Sequence, residues 1–168
     1  MNIRKLTSAL AVADQISAAD VEAIASAGYR AIVCNRPDNE VAGQPAYSDI
    51  ERAAVARGLQ VFCLPVASGQ VEDHQALQMA QVLQALPEPV LAYCRSGTRS
   101  VMLWALAEAG KRDTEKILQI AASAGYDLNA MRGHLETLAR DGSLSERAGQ
   151  LVVCPGVRAI PAAAAAVL

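Results

Sequence analysis

Stretches with helical spacing alternate along this chain with short, apolar, β-branched runs, and that alternation constrains the fold more than any other feature. Ser17 precedes a segment whose apolar positions Val21, Ile24 and Ala25 recur at helical spacing and which stops at Gly28, the pattern of a capped helix with a glycine exit. "YRAIVCN" then reads as a buried strand. "YSDIERAAVARG" repeats the plan, with Ser48 as the expected cap and Gly58 as the stop, and leads into the strand "QVFCLPV". "VEDHQALQMAQVLQAL" is a third helix, closed by Pro87 and Pro89, before the strand "VLAYC" and a helix beginning near Thr98. This order predicts βαβ units, an α/β fold with a mostly parallel sheet flanked by helices on both faces. Ligands of such sheets bind beyond the carboxyl ends of the strands, where the helix N-termini also point. Residues 34–38, 65–70 and 94–99 are placed there.

After Gly110 the character changes. "DTEKILQIAASAG" and "DLNAMRGHLETLARDG" read as two amphipathic helices, each opened by a capping residue and closed by glycine. The expected organisation is an α/β domain over residues 1–112, a helical extension over 113–142 and an alanine-rich tail over 143–168. At the other end, Arg4 and Lys5 precede "LTSALAVA", but Thr7 and Ser8 interrupt that run. It is too short for a secretion signal and is read as edge strands. The C-terminal apolar run contains Pro155, Arg158 and Pro161, which disqualify it as a membrane span. A cytoplasmic protein without a membrane contact is expected.

A net charge of −2 and only six aromatic residues offer neither the cations nor the stacking surface that nucleic acid requires. The four cysteines are widely spaced, no Cys-x-x-Cys occurs, and His74 and His134 lie far apart, so neither a disulfide framework nor a metal site is expected, and no cofactor. Cys34, Cys63 and Cys154 are read as buried small hydrophobes.

Cys94 is different. It ends a strand in "PVLAYCRSGTRSV" and is followed at once by a helix, so free N–H groups and the positive end of the helix dipole face its sulfur. Arg95 and Arg99 add positive charge. Surroundings of this kind favour the thiolate, the nucleophilic form. Ser96, Gly97 and Thr98 let the backbone curl into a nest of inward N–H groups that binds an anion. Arg99 can present a fixed fork of donors to an oxyanion, and Ser100 can hydrogen-bond the thiolate or help discharge a covalent intermediate. Arg36, at a neighbouring strand end, either binds the anionic substrate or pairs with Asp38 or Glu40. Asp38 in "NRPD" is either a substitute general acid or a turn or cap residue. Tyr93, by strand alternation, should point away from Cys94 into the core.

The loop "CRSGTRS", with "AIVCNRPDNE" upstream and "LPVASGQ" between them, resembles a small bacterial family with a dual-specificity-phosphatase-like fold. That family also occurs as the domain fused to a metallo-hydrolase in beta-lactamase-hydrolase-like proteins. The resemblance covers about residues 3–110 and implies a dual-specificity or tyrosine-phosphatase-like architecture. Members are described as phosphatase-like or as sulfurtransferases, which implies chemistry at Cys94 and Arg99.

Four residues separate Cys94 from Arg99, whereas a tyrosine-phosphatase loop has five, which puts Ser100 where that arginine would stand. The pattern is similar to the tighter loop of rhodanese-type sulfurtransferases, whose cysteine carries a persulfide. The family resemblance also implies an acid after "FCLPV", yet Ala67, Ser68, Gly69 and Gln70 stand there, and Asp73 and His74 are assigned to the next helix. The expectation is therefore a sulfurtransferase forming a persulfide on Cys94, acting on a small anionic or persulfide substrate, with a sulfur-oxidising enzyme as candidate partner. One alternative is hydrolysis of phosphomonoesters through a cysteinyl-phosphate. Another is a non-catalytic anion-binding or docking module that uses the helices of residues 113–141.

Overall fold

The computed structural model describes residues 1–142; the alanine-rich tail and Cys154 lie outside the described residues. Five strands, β1 (Ile3–Lys5), β2 (Leu10–Ala13), β3 (Ala31–Cys34), β4 (Gln60–Cys63) and β5 (Val90–Tyr93), form one sheet in the order β1-β2-β5-β3-β4. Every pairing is parallel except β1 with β2. The helices are α1 (Val21–Ser26), α2 (Tyr47–Ala56), α3 (Asp73–Ala85), α4 (Thr98–Glu108), α5 (Thr114–Ser123) and α6 (Arg132–Arg140).

The strands β2, β3 and β5 are buried along their whole length, because both faces of the sheet are covered and neither can tolerate polar side chains. One face carries Ala11, Ala13, Ile32, Cys34, Leu91 and Tyr93, packed with Val21 and Ile24 of α1 and Ile50 and Ala54 of α2. The other carries Leu10, Val12, Ala31, Val33, Val90 and Ala92, under α3 to α6. Tyr93 is 1% exposed on the first face, as strand alternation requires.

Three local expectations change. Only β1 is an edge strand at the N-terminal side; β2 is interior, between β1 and β5. Its carboxyl end consequently joins those of β3, β4 and β5 at the site. Ser48 does not cap α2, which begins at Tyr47; the Tyr47 N–H is instead taken by the Asp38 carboxylate at 2.9 Å. The last predicted helix is split, a 3₁₀ turn at Asn129–Met131 preceding α6.

Ile117, Leu118 and Ala121 of α5 and Leu135 and Leu138 of α6 join the same buried cluster as Val101, Leu103 and Leu106 of α4. The helices after Gly110 thus share the hydrophobic core of the sheet's second face. Leu135 is fully buried in that shared core. Leu135→Ala should therefore lower the stability of the whole fold by about 2–5 kcal/mol. In urea titrations followed by Trp104 fluorescence and far-ultraviolet circular dichroism, the two transitions should stay coincident.

Candidate active site

The site is built where β5 hands over to α4. The Cys94 N–H still bonds to the Ala13 carbonyl of β2, at 3.4 Å, which holds the nucleophile's backbone in line with the sheet. The chain then turns through Arg95 and Ser96 to Gly97, whose φ of 86° is a left-handed conformation that suits glycine. This turn directs the Gly97 N–H onto the Cys94 sulfur at 3.1 Å. Cys94 itself is 1% exposed. Ser96 and Thr98 are exposed on the rim, their hydroxyls 3.0 Å apart. Arg95 points to solvent, and its carbonyl accepts the Gln15 N–H from the end of β2 at 3.3 Å.

Arg99, in the first turn of α4, is buried and held from two sides. Its two terminal nitrogens, Nη1 and Nη2, bond to both oxygens of Glu40, at 2.6 and 3.0 Å, and Nη1 also donates to the Val66 carbonyl at 2.6 Å. This end-on grip uses the tip of the guanidinium. The Glu40 hydrogen bond, opposed by burial, raises the guanidinium above its ordinary value and keeps it charged. Arg99 stands five positions after Cys94, in the first turn of the helix that follows it.

Arg36 donates from Nε to the same Glu40 carboxylate at 2.7 Å and from Nη1 to Gln15 at 2.8 Å. Of its two expected roles, ion pairing is the one the geometry displays, and its partner is Glu40. Its Nη2 is buried without a partner among the described residues. The Arg99 hydrogen bond, opposed by burial and aided by Arg36, holds the Glu40 carboxyl well below its ordinary range, at about 2.

Ser100 is completely buried and its hydroxyl donates to the Asn35 Oδ1 at 2.8 Å; the Asn35 amide in turn donates to the Leu64 carbonyl at 3.2 Å. The residue thus ties α4 to the ends of β3 and β4. Asp38 is exposed and engaged as the cap of α2. Asp73 opens α3 and pairs with His134 of α6 at 2.7 Å, on the surface.

Glu40 and Gln15 are the site residues that motif reasoning did not reach. Glu40 lay within view as a partner of Arg36, but its bond to Arg99 spans 59 positions. Gln15 follows β2, which had been placed at an edge. Cys34 and Cys63 also depart from simple burial: they are direct partners across β3 and β4. The Cys34 sulfur donates to the Arg36 carbonyl at 3.2 Å, and the neighbouring Cys34 sulfur, together with burial, pushes the Cys63 thiol up and keeps it protonated. A groove of about 330 Å³ lined by Leu10, Val90, Trp104 and Glu108 opens at the opposite, amino ends of the strands and takes no part in the site.

A mostly parallel sheet that delivers a buried cysteine, a turn whose glycine N–H faces it and a clamped arginine to a helix N-terminus is the arrangement of a phosphatase-like, cysteine-based domain. Residues 2–111 match the model of the beta-lactamase hydrolase-like protein, phosphatase-like domain, and the chain belongs to that family. Beta-lactamase hydrolase-like proteins of Agrobacterium fabrum and Xylella fastidiosa are 30% and 31% identical to it over 81% and 76% of this chain. It spans only 32% and 30% of their length, about a third of the curated relatives it matches.

Among solved structures, a candidate phosphatase from Neisseria meningitidis is 34% identical, with a TM-score of 0.74 over 82% of this chain and 98% of that one. TpbA of P. aeruginosa, at 18% identity, covers 87% of this chain and 88% of its own with a TM-score of 0.60. The catalytic core of an S. cerevisiae PP-IP phosphatase, at 10% identity, covers 88% and 91% with a TM-score of 0.64. The last two share the fold. Among the described residues no helix is long and apolar enough to cross a membrane.

Replacing Glu40 by Gln leaves two buried guanidiniums without a counter-charge, a loss of about 3 kcal/mol at neutral pH. Glu40 has a depressed folded-state value, so its contribution is present above the ordinary glutamate range and is lost as pH falls towards 2. Urea denaturation at a series of pH values should show the gap between the protein and Glu40→Gln closing over that interval.

Proposed function

We propose that the chain is a Cys94-dependent enzyme of the phosphatase type that moves a phosphoryl group through a cysteinyl-phosphate. The observation that carries this reading is the clamped Arg99: a charged guanidinium, fixed end-on by Glu40, leaves Nε and part of Nη2 to meet an oxyanion next to the Cys94 sulfur. The sulfur attacks phosphorus, the bond from phosphorus to the leaving oxygen breaks, and that oxygen departs with the bonding pair. Water then attacks the cysteinyl-phosphate, releasing phosphate and returning the sulfur to its starting state. The Gly97 N–H and Arg99 stabilise the negative charge on the group in flight. With Asp38 capping α2, no proton for the leaving oxygen is assigned to it. Substrates with acidic leaving groups, such as aryl phosphates or phosphoanhydrides, fit this site better than alkyl phosphates.

The four-residue spacing between Cys94 and Arg99 and the engagement of Asp38 favour a second reading, sulfur transfer. The Cys94 thiolate attacks the outer sulfur of a donor such as thiosulfate, the sulfur–sulfur bond breaks with release of sulfite, and the resulting persulfide passes its outer sulfur to an acceptor thiolate. This route has no leaving alcohol. A sulfur-oxidising enzyme is the partner that fits it.

Acid-quenched protein incubated with p-nitrophenyl phosphate should carry a phosphoryl group on Cys94, and Cys94→Ser should carry none. Arg99→Ala should lower kcat/KM by about 10²–10³, whereas Asp38→Asn should change it by no more than about twofold with this acidic leaving group. A Cys94 that takes sulfur from thiosulfate and never a phosphoryl group from the ester would replace the first reading by the second.

A further inference from the structure

We infer that Tyr126, which lies beyond the residues matched by the family model, is a positioning residue for the nucleophile: its hydroxyl latches the Ser96–Gly97 peptide so that the N–H end faces Cys94. This inference rests on the reading of Cys94 as the nucleophile. The Tyr126 hydroxyl donates to the Ser96 carbonyl at 3.1 Å, and the Gly97 N–H donates to the Cys94 sulfur at 3.1 Å. These two groups are opposite ends of one planar trans peptide unit, so fixing one fixes the other. Rotation of that unit by half a turn would aim the Ser96 carbonyl oxygen at the sulfur and at any bound anion, replacing an attractive dipole by a repulsive one.

Nothing in the local sequence prevents that rotation. Turning the unit changes ψ of Ser96 and φ of Gly97, and glycine accepts either sign of φ. The restraint comes instead from outside the loop. A Cβ on Gly97 would meet the Tyr126 hydroxyl, so glycine is also what lets the tyrosine approach. Tyr126 is 7% exposed and sits in the core cluster with Ala121, Ala124 and Leu128. Arg4 of β1 lies 5.0 Å from its ring centroid and donates to the Ala124 carbonyl at 3.4 Å, holding the ring in place. The segment between α5 and α6 thus supplies a part of the site.

The test compares the protein with Tyr126→Phe, which keeps the ring and its packing and removes only the latch. Alkylation by iodoacetamide at neutral pH, mapped by mass to each cysteine, should slow about tenfold at Cys94, while Cys34 and Cys63 stay unmodified as internal controls. Protection of Cys94 by inorganic phosphate should need about tenfold more phosphate. Neither readout depends on which group the enzyme transfers, so a failed turnover assay with either donor leaves them intact. Wild-type alkylation and protection in Tyr126→Phe would overturn the latch. So would the appearance of alkylation at Cys34 or Cys63, which would mark general loosening rather than a turned peptide.

Discussion

One carboxylate, that of Glu40, is shared by two guanidiniums that the fold has taken out of water. Arg36 and Arg99 are 4% and 6% exposed, and charges so buried are tolerated only when paired and hydrogen-bonded. The three groups come from the loop after β3 and from α4, and the Val66 carbonyl adds the loop after β4. Gln15 adds the end of β2. Four strand ends are thereby joined through one acid. Its removal would therefore be felt across the whole upper edge of the sheet.

The remaining geometry follows from that edge. A parallel sheet delivers its strand ends to one side, and α4 starts there with its free N–H groups facing the last residue of the preceding strand. Cys94 occupies that place, and the buried Asn35–Ser100 bond fixes how far α4 stands from β3. A hydroxyl and an amide sealed at this point have no water to turn to, so they specify one arrangement rather than merely permitting it.

The sheet and its flanking helices were legible because their signal is local. Apolar runs such as "AIVC" and "VLAY" and the glycines that end α1 and α2 report on their own neighbourhood. Cys94, Gly97 and Arg99 were legible for the same reason, lying together in one short motif. Asp38 was open between acid and cap, and its bond to the Tyr47 N–H shows it capping α2, nine positions away. Glu40 was in view only as a partner of Arg36, four positions away; its bond to Arg99 and the bond of Tyr126 to Ser96 span 59 and 30 positions and leave no local mark. Reading β2 as an edge failed because short β-branched runs do not reveal which neighbour they will pair with, and Gln15 was lost with it.

The cation over Tyr126 has a bearing on the order in which the protein comes into being. Arg4 and the carbonyl it grips stand 120 positions apart, so the arginine leaves the ribosome long before its partner. Contacts of such separation close only after the intervening chain has been ordered, because the entropy of closing the loop must be met before the contact returns anything. A nascent chain that has emerged only as far as α4 already owns the cysteine, the glycine and the arginine. It does not yet have the tyrosine that holds their turn, so the complete site comes with the complete core.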